Sequence, residues 1–192
     1  MVINNKKSEL RQRLIERLLF LTTEEVKRRS KNVEDKLSSL PIYKEAKVIM
    51  VYYPLKGEVD ILGEIRKVMV SKRFCFPVMD LKAKSLTAFE VKDLDNDFFS
   101  GPFGVMEPDK KKTKEVAVKE IDVVIVPGLA FDHNKNRLGR GVGFYDRFLK
   151  GLEPSTKKIG IAFDFQLLES LPVNLSFDQK VDIIVSENLV VQ

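Results

Sequence analysis

Short apolar runs that alternate with helical patterns constrain the fold of this chain more than any other feature. Val48-Ile-Met-Val-Tyr-Tyr53 and Val123-Val-Ile-Val126 are almost wholly apolar or aromatic, which is typical of parallel strands covered on both faces. Further strands are predicted at 74–78, at 86–91 (a candidate edge strand), at 158–163 and at 181–185.

Helical patterns separate these strands. Leucines recur at four-residue spacing from Leu10 to Leu18, and this spacing indicates one face of a helix. Thr22-Thr-Glu-Glu25 has the capping-box pattern that begins a second helix. Helices are predicted over 6–21, 22–39, 60–69 and 144–149. The alternation predicts an α/β fold with three layers, α/β/α, a largely parallel sheet and a single domain over residues 1–192.

A stretch rich in glycine and arginine, Arg137-Leu-Gly-Arg-Gly-Val-Gly-Phe-Tyr-Asp-Arg147, follows the strand at 123–126. Glycines at alternate positions allow backbone N–H groups to turn toward one point and approach a ligand closely. Guanidinium groups suit phosphate oxygens, and a divalent cation can bridge Asp146 to a phosphate. The stretch predicts a polyphosphate site beyond the carboxyl ends of the strands. From these residues alone, a flexible turn with solvated charges is the alternative.

Composition narrows the ligand class. The net charge of +5 suits an anionic small molecule. The densest basic run, Lys110–Lys114, has no interleaved aromatics and is predicted to be a solvated loop, so we expect no nucleic-acid partner. Cys75 is predicted to be buried, and the only histidine, His133, to be a solvated loop residue. We therefore expect neither a multi-histidine metal site nor a Ser-His-Asp triad.

No apolar run approaches the roughly 20 residues of a membrane span, and no signal-peptide pattern follows Met1. We therefore expect a cytoplasmic protein with no membrane partner, and we expect it to be a monomer.

The string Arg137-Leu-Gly-Arg-Gly-x-Gly-x-Tyr-Asp146 closely resembles the signature of the 5-formyltetrahydrofolate cyclo-ligase family. Weaker matches lie in order along nearly the whole chain: Lys7-Ser-Glu-Leu-Arg11 resembles the family's Lys-x-x-Leu-Arg motif, and Gly104-Val-Met-Glu-Pro108 resembles its Gly-Ile-x-Glu-Pro block. The chain departs from the family at Phe144, where tyrosine is common, and at Phe177, where many members carry histidine.

The resemblance implies an ATP- and Mg²⁺-dependent enzyme. Such an enzyme cyclises 5-formyltetrahydrofolate to 5,10-methenyltetrahydrofolate through a phosphorylated, imidate-like formyl group and releases ADP and phosphate. By resemblance, Arg140 and Lys7 are catalytic, and Asp146 and Asp182 hold magnesium. The implied ATP contacts are Lys7, Arg11, Arg137, Leu138, Gly139, Arg140, Gly141, Val142, Gly143, Phe144 and Tyr145. The implied folate contacts are Tyr53, Glu58, Arg140, Gly141, Val142, Gly143 and Phe144.

Simpler structural interpretations stay open for several of these residues. Glu58 fits a partner for a helix dipole, and Tyr53 fits a core aromatic at a strand end. Asp182, inside an otherwise apolar strand, fits a turn cap or a lysine partner, because a lone buried carboxylate is costly. The alternative functions are a non-catalytic nucleotide- or RNA-binding module and a sugar-phosphate isomerase or deaminase-like enzyme. The latter would need a base, and the sequence offers no obvious histidine for it.

Overall fold

The structure is a computed structural model that describes the backbone of residues 2–174 and 176–192 and the side chains of residues 5–174 and 176–192. The helices are α1 (Val2–Leu19), α2 (Thr23–Ser39), α3 (Pro41–Glu45), α4 (Leu62–Val68) and α5 (Phe144–Lys150). The strands are β1 (Val48–Met50), β2 (Arg73–Asp80), β3 (Ser85–Val91), β4 (Phe98–Ser100), β5 (Met106–Pro108), β6 (Lys114–Glu115), β7 (Val123–Val126), β8 (Ala130–Asp132), β9 (Arg137–Leu138), β10 (Lys157–Ile161), β11 (Leu167–Leu168), β12 (Ile183–Val185) and β13 (Val190–Val191).

An eight-stranded sheet in the order β13-β12-β10-β7-β1-β2-β3-β6 forms the middle layer. Its central strands, from β12 to β2, run parallel, whereas β13, β3 and β6 are antiparallel to their neighbours. One apolar cluster packs α1 to α4 on one face, and a second cluster packs α5 on the other. The predicted three-layer α/β fold with a largely parallel sheet is confirmed.

The helices begin where local chemistry predicts. Thr22 Oγ1 accepts from Glu25 N at 3.2 Å, and Glu25 Oε2 accepts from Thr22 N at 3.0 Å, so the capping box at the start of α2 is confirmed. The helix at 6–21 is also found, and it buries Leu14 and Leu18 against the sheet. In the described part of the chain, no helix is long and apolar enough to cross a bilayer.

Two strand predictions need correction. The strand at 86–91 is not at the edge, because β6 pairs with it through Phe89 and Glu90. The strand predicted at 48–53 ends at Met50, although Val51 N still donates to Cys75 O in β2 at 2.8 Å. The chain then leaves the sheet, and Tyr52 donates its hydroxyl to Val59 O at 2.7 Å. This early exit turns the segment 52–58 across the carboxyl ends of the central strands.

The minor sequence predictions fit the structure. Cys75 lies fully buried in β2, and burial raises the pKa of its thiol to about 12. His133 and the lysines of the 110–114 run are exposed. None of these residues lines the main cleft of the molecule.

Candidate active site

A cleft of about 610 Å³ lies beyond the carboxyl ends of β1, β2 and β7. Its walls come from α1, from the 52–58 segment, from the loop between β7 and α5, and from Asn174, Phe177 and Asp178. Ligands bind at this edge of open α/β sheets because the loops that leave neighbouring strands diverge there.

The glycine-arginine loop forms the floor of the cleft in a conformation that requires glycine. Gly141 has φ 112° and Gly143 has φ 80°, and Gly143 caps the start of α5. A methyl group on Gly143 would lie 2.9 Å from Phe177 Cζ and 3.0 Å from Arg147 Nη1. The left-handed backbone and the close packing together explain why side chains are absent at these positions.

Arg137 and Asp146 form an ion pair inside the cleft wall, with 2.8 Å between Nη2 and Oδ1. Asp146 Oδ1 also accepts from Gln179 N at 3.2 Å, and Arg137 Nη1 donates to Pro127 O at 3.3 Å. Arg137 Nε is buried and has no hydrogen-bond partner within the described residues. A buried donor without a partner is costly, so this atom is suited to an acceptor supplied by a ligand.

The first helix brings two cations to the same cleft. Arg11 donates from Nε to Gly139 O at 2.9 Å, which ties α1 to the glycine loop. Lys7 is 7% exposed and pairs with Asp178, whose Oδ2 also accepts from Asn174 N at 2.7 Å. An ammonium group has three donors, so Lys7 can hold Asp178 and still donate to an anion.

A second ion pair joins the two halves of the cleft. Arg140 donates from Nη2 and Nε to Glu58 Oε1 at 2.7 and 3.2 Å. Glu58 Oε2 accepts from Leu55 N at 3.0 Å, so the carboxylate is fixed by its own turn. The guanidinium is 41% exposed whereas the carboxylate is 10% exposed, so Arg140 is the partner with more freedom to move.

The other half of the cleft is apolar. Tyr53 packs edge-on against Phe98, with 4.9 Å between ring centroids. The wall continues through residues of β2, β3 and the turn before β5: Pro77, Met79, Leu86, Phe103 and Val105. Tyr145 reaches the cleft from α5; its hydroxyl is buried without a partner among the described residues, and burial raises its pKa. An aromatic ligand fits such a wall.

The structure brings nearly all of the predicted site residues together. The following residues line the cleft: Lys7, Arg11, Tyr53, Glu58, Arg137, Leu138, Gly139, Arg140, Gly141, Val142, Gly143, Phe144, Tyr145 and Asp146. Their assembly from distant segments follows from the parallel sheet, whose strands end at one edge.

Asp182 is the predicted residue that the structure does not bring to the cleft. It precedes β12, and its Oδ2 accepts from Lys158 N at 2.8 Å while its Oδ1 lies 3.4 Å from Lys158 Nζ. These contacts lie at the amino end of β10, opposite the end where the cleft opens. These contacts match the structural alternative, in which Asp182 pairs with a lysine.

Asp178 is a carboxylate of the cleft for which the sequence predicts no role. It lines the cleft together with Asp146, and the backbone of the next residue, Gln179, donates to Asp146. The available signal was its position in the connection between β10 and β12, because β10 runs parallel to β7 and ends at the same edge of the sheet. In the described residues, no group of three or more metal-binding side chains is present.

Comparison with known proteins gives a consistent result. The family model described as "5-formyltetrahydrofolate cyclo-ligase family" matches residues 3–187. A 5-formyltetrahydrofolate cyclo-ligase from Mus musculus is 27% identical over 97% of this chain and 96% of its own length. A protein of the same name from Haemophilus influenzae is 32% identical over 67% of this chain and 70% of its own length. The solved structure of an Aquifex aeolicus 5,10-methenyltetrahydrofolate synthetase superposes with a TM-score of 0.83 at 36% identity, covering 96% of this chain and 91% of that one.

Proposed function

The chain belongs to the 5-formyltetrahydrofolate cyclo-ligase family and is an enzyme of that class, and we propose that ATP and Mg²⁺ drive its closure of the 5-formyltetrahydrofolate ring. One observation carries the proposal. Four cationic side chains from two distant segments, Lys7, Arg11, Arg137 and Arg140, converge on a single cleft that also has an apolar half. The cationic half suits a triphosphate, and the apolar half suits a pterin with its benzoyl ring.

The cationic half fits the phosphates of ATP. Guanidinium forks match phosphate oxygens, and the Gly139–Gly143 backbone allows close approach. Arg137 Nε is a buried donor that lacks an acceptor among the described residues. We propose that Lys7, Arg11, Arg137 and Arg140 bind the phosphates and that Arg140 stabilises the group in transfer.

The donor set also fits magnesium, with Asp146 as predicted and with Asp178 in place of Asp182. Asp146 and Asp178 both line the cleft, and all hydrogen bonds found for each use only one carboxylate oxygen, Oδ1 of Asp146 and Oδ2 of Asp178. The remaining oxygens are hard ligands of the kind that Mg²⁺ prefers. Bound there with ATP, magnesium would neutralise phosphate charge. The role of Asp182 as a ligand stays a prediction that its pairing with Lys158 does not favour.

The apolar half fits the folate. Glu58 is fixed by Leu55 N and can accept from ring N–H groups of the pterin, while Tyr53 offers a ring for stacking. Glu58 also holds Arg140. A pterin at Glu58 would therefore place the formyl oxygen beside the cation that faces the γ-phosphate.

The chemistry requires activation of the formyl group, because a formamide is a poor electrophile and its oxygen is a poor leaving group. The formyl oxygen attacks the γ-phosphorus, and the bond between that phosphorus and the β,γ-bridging oxygen breaks to release ADP. The neighbouring aniline nitrogen then attacks the formyl carbon and loses its proton. The carbon–oxygen bond breaks, phosphate departs, and the five-membered methenyl ring is closed. Enzymes accelerate such steps mainly by positioning and charge neutralisation.

The direct test mixes the purified protein with 5-formyltetrahydrofolate and MgATP and follows the near-ultraviolet absorbance of the methenyl product. We expect an increase that requires ATP and disappears with EDTA. A folded protein that binds ATP without this increase would contradict the proposal. Salt-sensitive RNA binding without folate dependence would then favour a binding module, and sugar-phosphate binding without ATP would favour an isomerase or deaminase-like enzyme.

The proposed magnesium ligands can be tested separately through the Mg²⁺ dependence of the rate. We expect Asp146→Asn and Asp178→Asn each to raise the Mg²⁺ concentration for half-maximal rate by about tenfold or more, because each removes one anionic ligand. Asp182→Asn is the matched control, since it removes the same charge outside the cleft. The measurement is the initial rate as a function of Mg²⁺ concentration at saturating ATP, for the wild-type protein and each variant. A shift for Asp182→Asn without one for Asp178→Asn would restore the original assignment.

A further inference from the structure

Arg147 is a cation of the glycine-arginine stretch that the proposed reaction does not use. It lies on α5, one turn after Gly143, and is half-buried. Its guanidinium lies over the Phe144 ring, with 5.9 Å from Cζ to the ring centroid. Arg147 itself does not line the cleft, but it lies beside Phe144, which does.

Backbone carbonyls, not carboxylates, hold this guanidinium. Nη2 donates to Val142 O at 2.9 Å, and Nε donates to Lys84 O in the turn between β2 and β3. Nη1 has no hydrogen-bond partner among the described residues, and none of the ion pairs found there includes Arg147. The side chain is thus fixed in direction while its charge is left without a counter-ion.

Arg147 lies next to the apolar wall of the cleft, and this position indicates which ligand group could be its counter-ion. Met79 and Leu86 flank the same β2–β3 turn and line the cleft, and both pack in the cluster that contains Phe144. The turn itself carries two exposed lysines, Lys82 and Lys84. A ligand that extends along the apolar wall away from Glu58 therefore reaches a positively charged region formed by Arg147, Lys82 and Lys84.

We propose that Arg147 binds a carboxylate of the glutamate tail of the folate. This inference rests on the proposed function, because a folate joins a pterin to a benzoyl ring and then to a glutamate that carries carboxylates. With the pterin at Glu58 and the benzoyl ring on the apolar wall, the glutamate reaches the basic end. A guanidinium held by two carbonyls is preorganised for such a carboxylate.

The test compares 5-formyltetrahydrofolate with 5-formyltetrahydropteroate amide, which keeps the neutral benzoyl carboxamide but lacks the glutamate and both of its carboxylates. For Arg147→Met we expect the KM for 5-formyltetrahydrofolate to rise about tenfold, the loss of one charge-assisted contact. The KM for the pteroate amide, the KM for ATP and kcat should change less than twofold. Lys150→Met is the matched control, because it removes an exposed cation from the same helix outside the cleft.

Two other outcomes would contradict the proposal. An equal rise of KM for both substrates would show that Arg147 only supports the loop, and a rise of KM for ATP would place it on the phosphates; both would overturn the proposal. Arg147→Lys separates charge from loop support, because it keeps the cation and should restore at least part of the preference for the glutamate form. Absence of any methenyl product from the wild-type protein would instead refute the proposed function and is distinguishable from these results.

Discussion

Arg140 joins the two halves of the cleft. Its contacts predict a small contribution to folding stability and a large contribution to catalysis. Its pair with Glu58 is 41% exposed on the arginine side, so the pair is worth no more than about 1 kcal/mol. Stabilising charge in a transferring phosphoryl group is worth far more. We expect Arg140→Ala to lower kcat by about 10²–10³-fold and the melting temperature by only about 2–4 °C.

The control for Arg140 is Arg66→Ala. Arg66 forms an exposed two-pronged ion pair with Asp95 and does not line the cleft. Steady-state kinetics and thermal unfolding of both variants give the comparison. If Arg140→Ala lost activity only in proportion to its loss of folded protein, the catalytic assignment would be wrong.

Single residues also mark the limit of what the sequence could reveal. The glycine-arginine stretch predicted its own place in the cleft because its spacing is unusual. Asp182 and Asp178 are only four residues apart, and no local pattern tells which of them faces the cleft. That choice depends on where β12 begins and on the contacts of Lys7 and Lys158 with the two carboxylates. Such contacts join residues far apart in the chain and leave no local signal.

Helices and strands whose signal lies in consecutive residues were predicted well. Short strands that form only by pairing with another strand were not predicted. The capping box of α2 lies within four consecutive residues, so its chemistry is visible in the sequence. By contrast, β6 and β9 have two residues each and exist only because longer strands offer a hydrogen-bonding edge. Short strands of this kind have no periodicity of their own.

The contact between α1 and the 52–58 segment gives a prediction about elements. Gly57 has φ 82°, and a methyl group there would lie 2.3 Å from Leu18 O, a backbone atom of α1. The alanine variant must therefore move either α1 or the segment that carries Glu58. We expect Gly57→Ala to lower the free energy of unfolding by about 3 kcal/mol or more and to raise KM for both substrates.

Gly104 provides a matched control for Gly57. Its φ is 73°, but a methyl group there meets no atom within 4 Å. Gly104→Ala thus carries the backbone strain alone, about 1–2 kcal/mol. Urea unfolding of the two variants isolates the cost of the clash. Equal losses for both would show that α1 yields easily at Leu18 and that the contact does not fix the cleft.

At the scale of the whole molecule, the parallel sheet explains why distant residues form one site. β1, β2 and β7 end at the same edge, and α1 crosses that edge from the other end of the sequence. The alternation of strands and helices was enough to predict this edge as the place for ligands. It was not enough to predict that Arg140 and Glu58, 82 residues apart, would pair across the cleft.

That pairing couples the two ligands of the proposed reaction. A pterin that takes Glu58 releases Arg140 for the phosphates, and phosphates that take Arg140 release Glu58 for the pterin. Coupling between two binding equilibria is reciprocal. Because a half-exposed ion pair is worth at most about 1 kcal/mol, the two ligands should strengthen each other's binding by about two- to fivefold.

Calorimetric titration with a non-hydrolysable ATP analogue and Mg²⁺, with and without saturating 5-methyltetrahydrofolate, measures this coupling without turnover. We expect Glu58→Gln to remove it, because the neutral amide holds Arg140 only weakly. Asp95→Asn, which weakens the Arg66 pair outside the cleft lining, should leave it unchanged. Independent binding of the two ligands to the wild-type protein would mean that Arg140 keeps its bond to Glu58 throughout. In that case the phosphates would have to be held by Lys7, Arg11 and Arg137 alone.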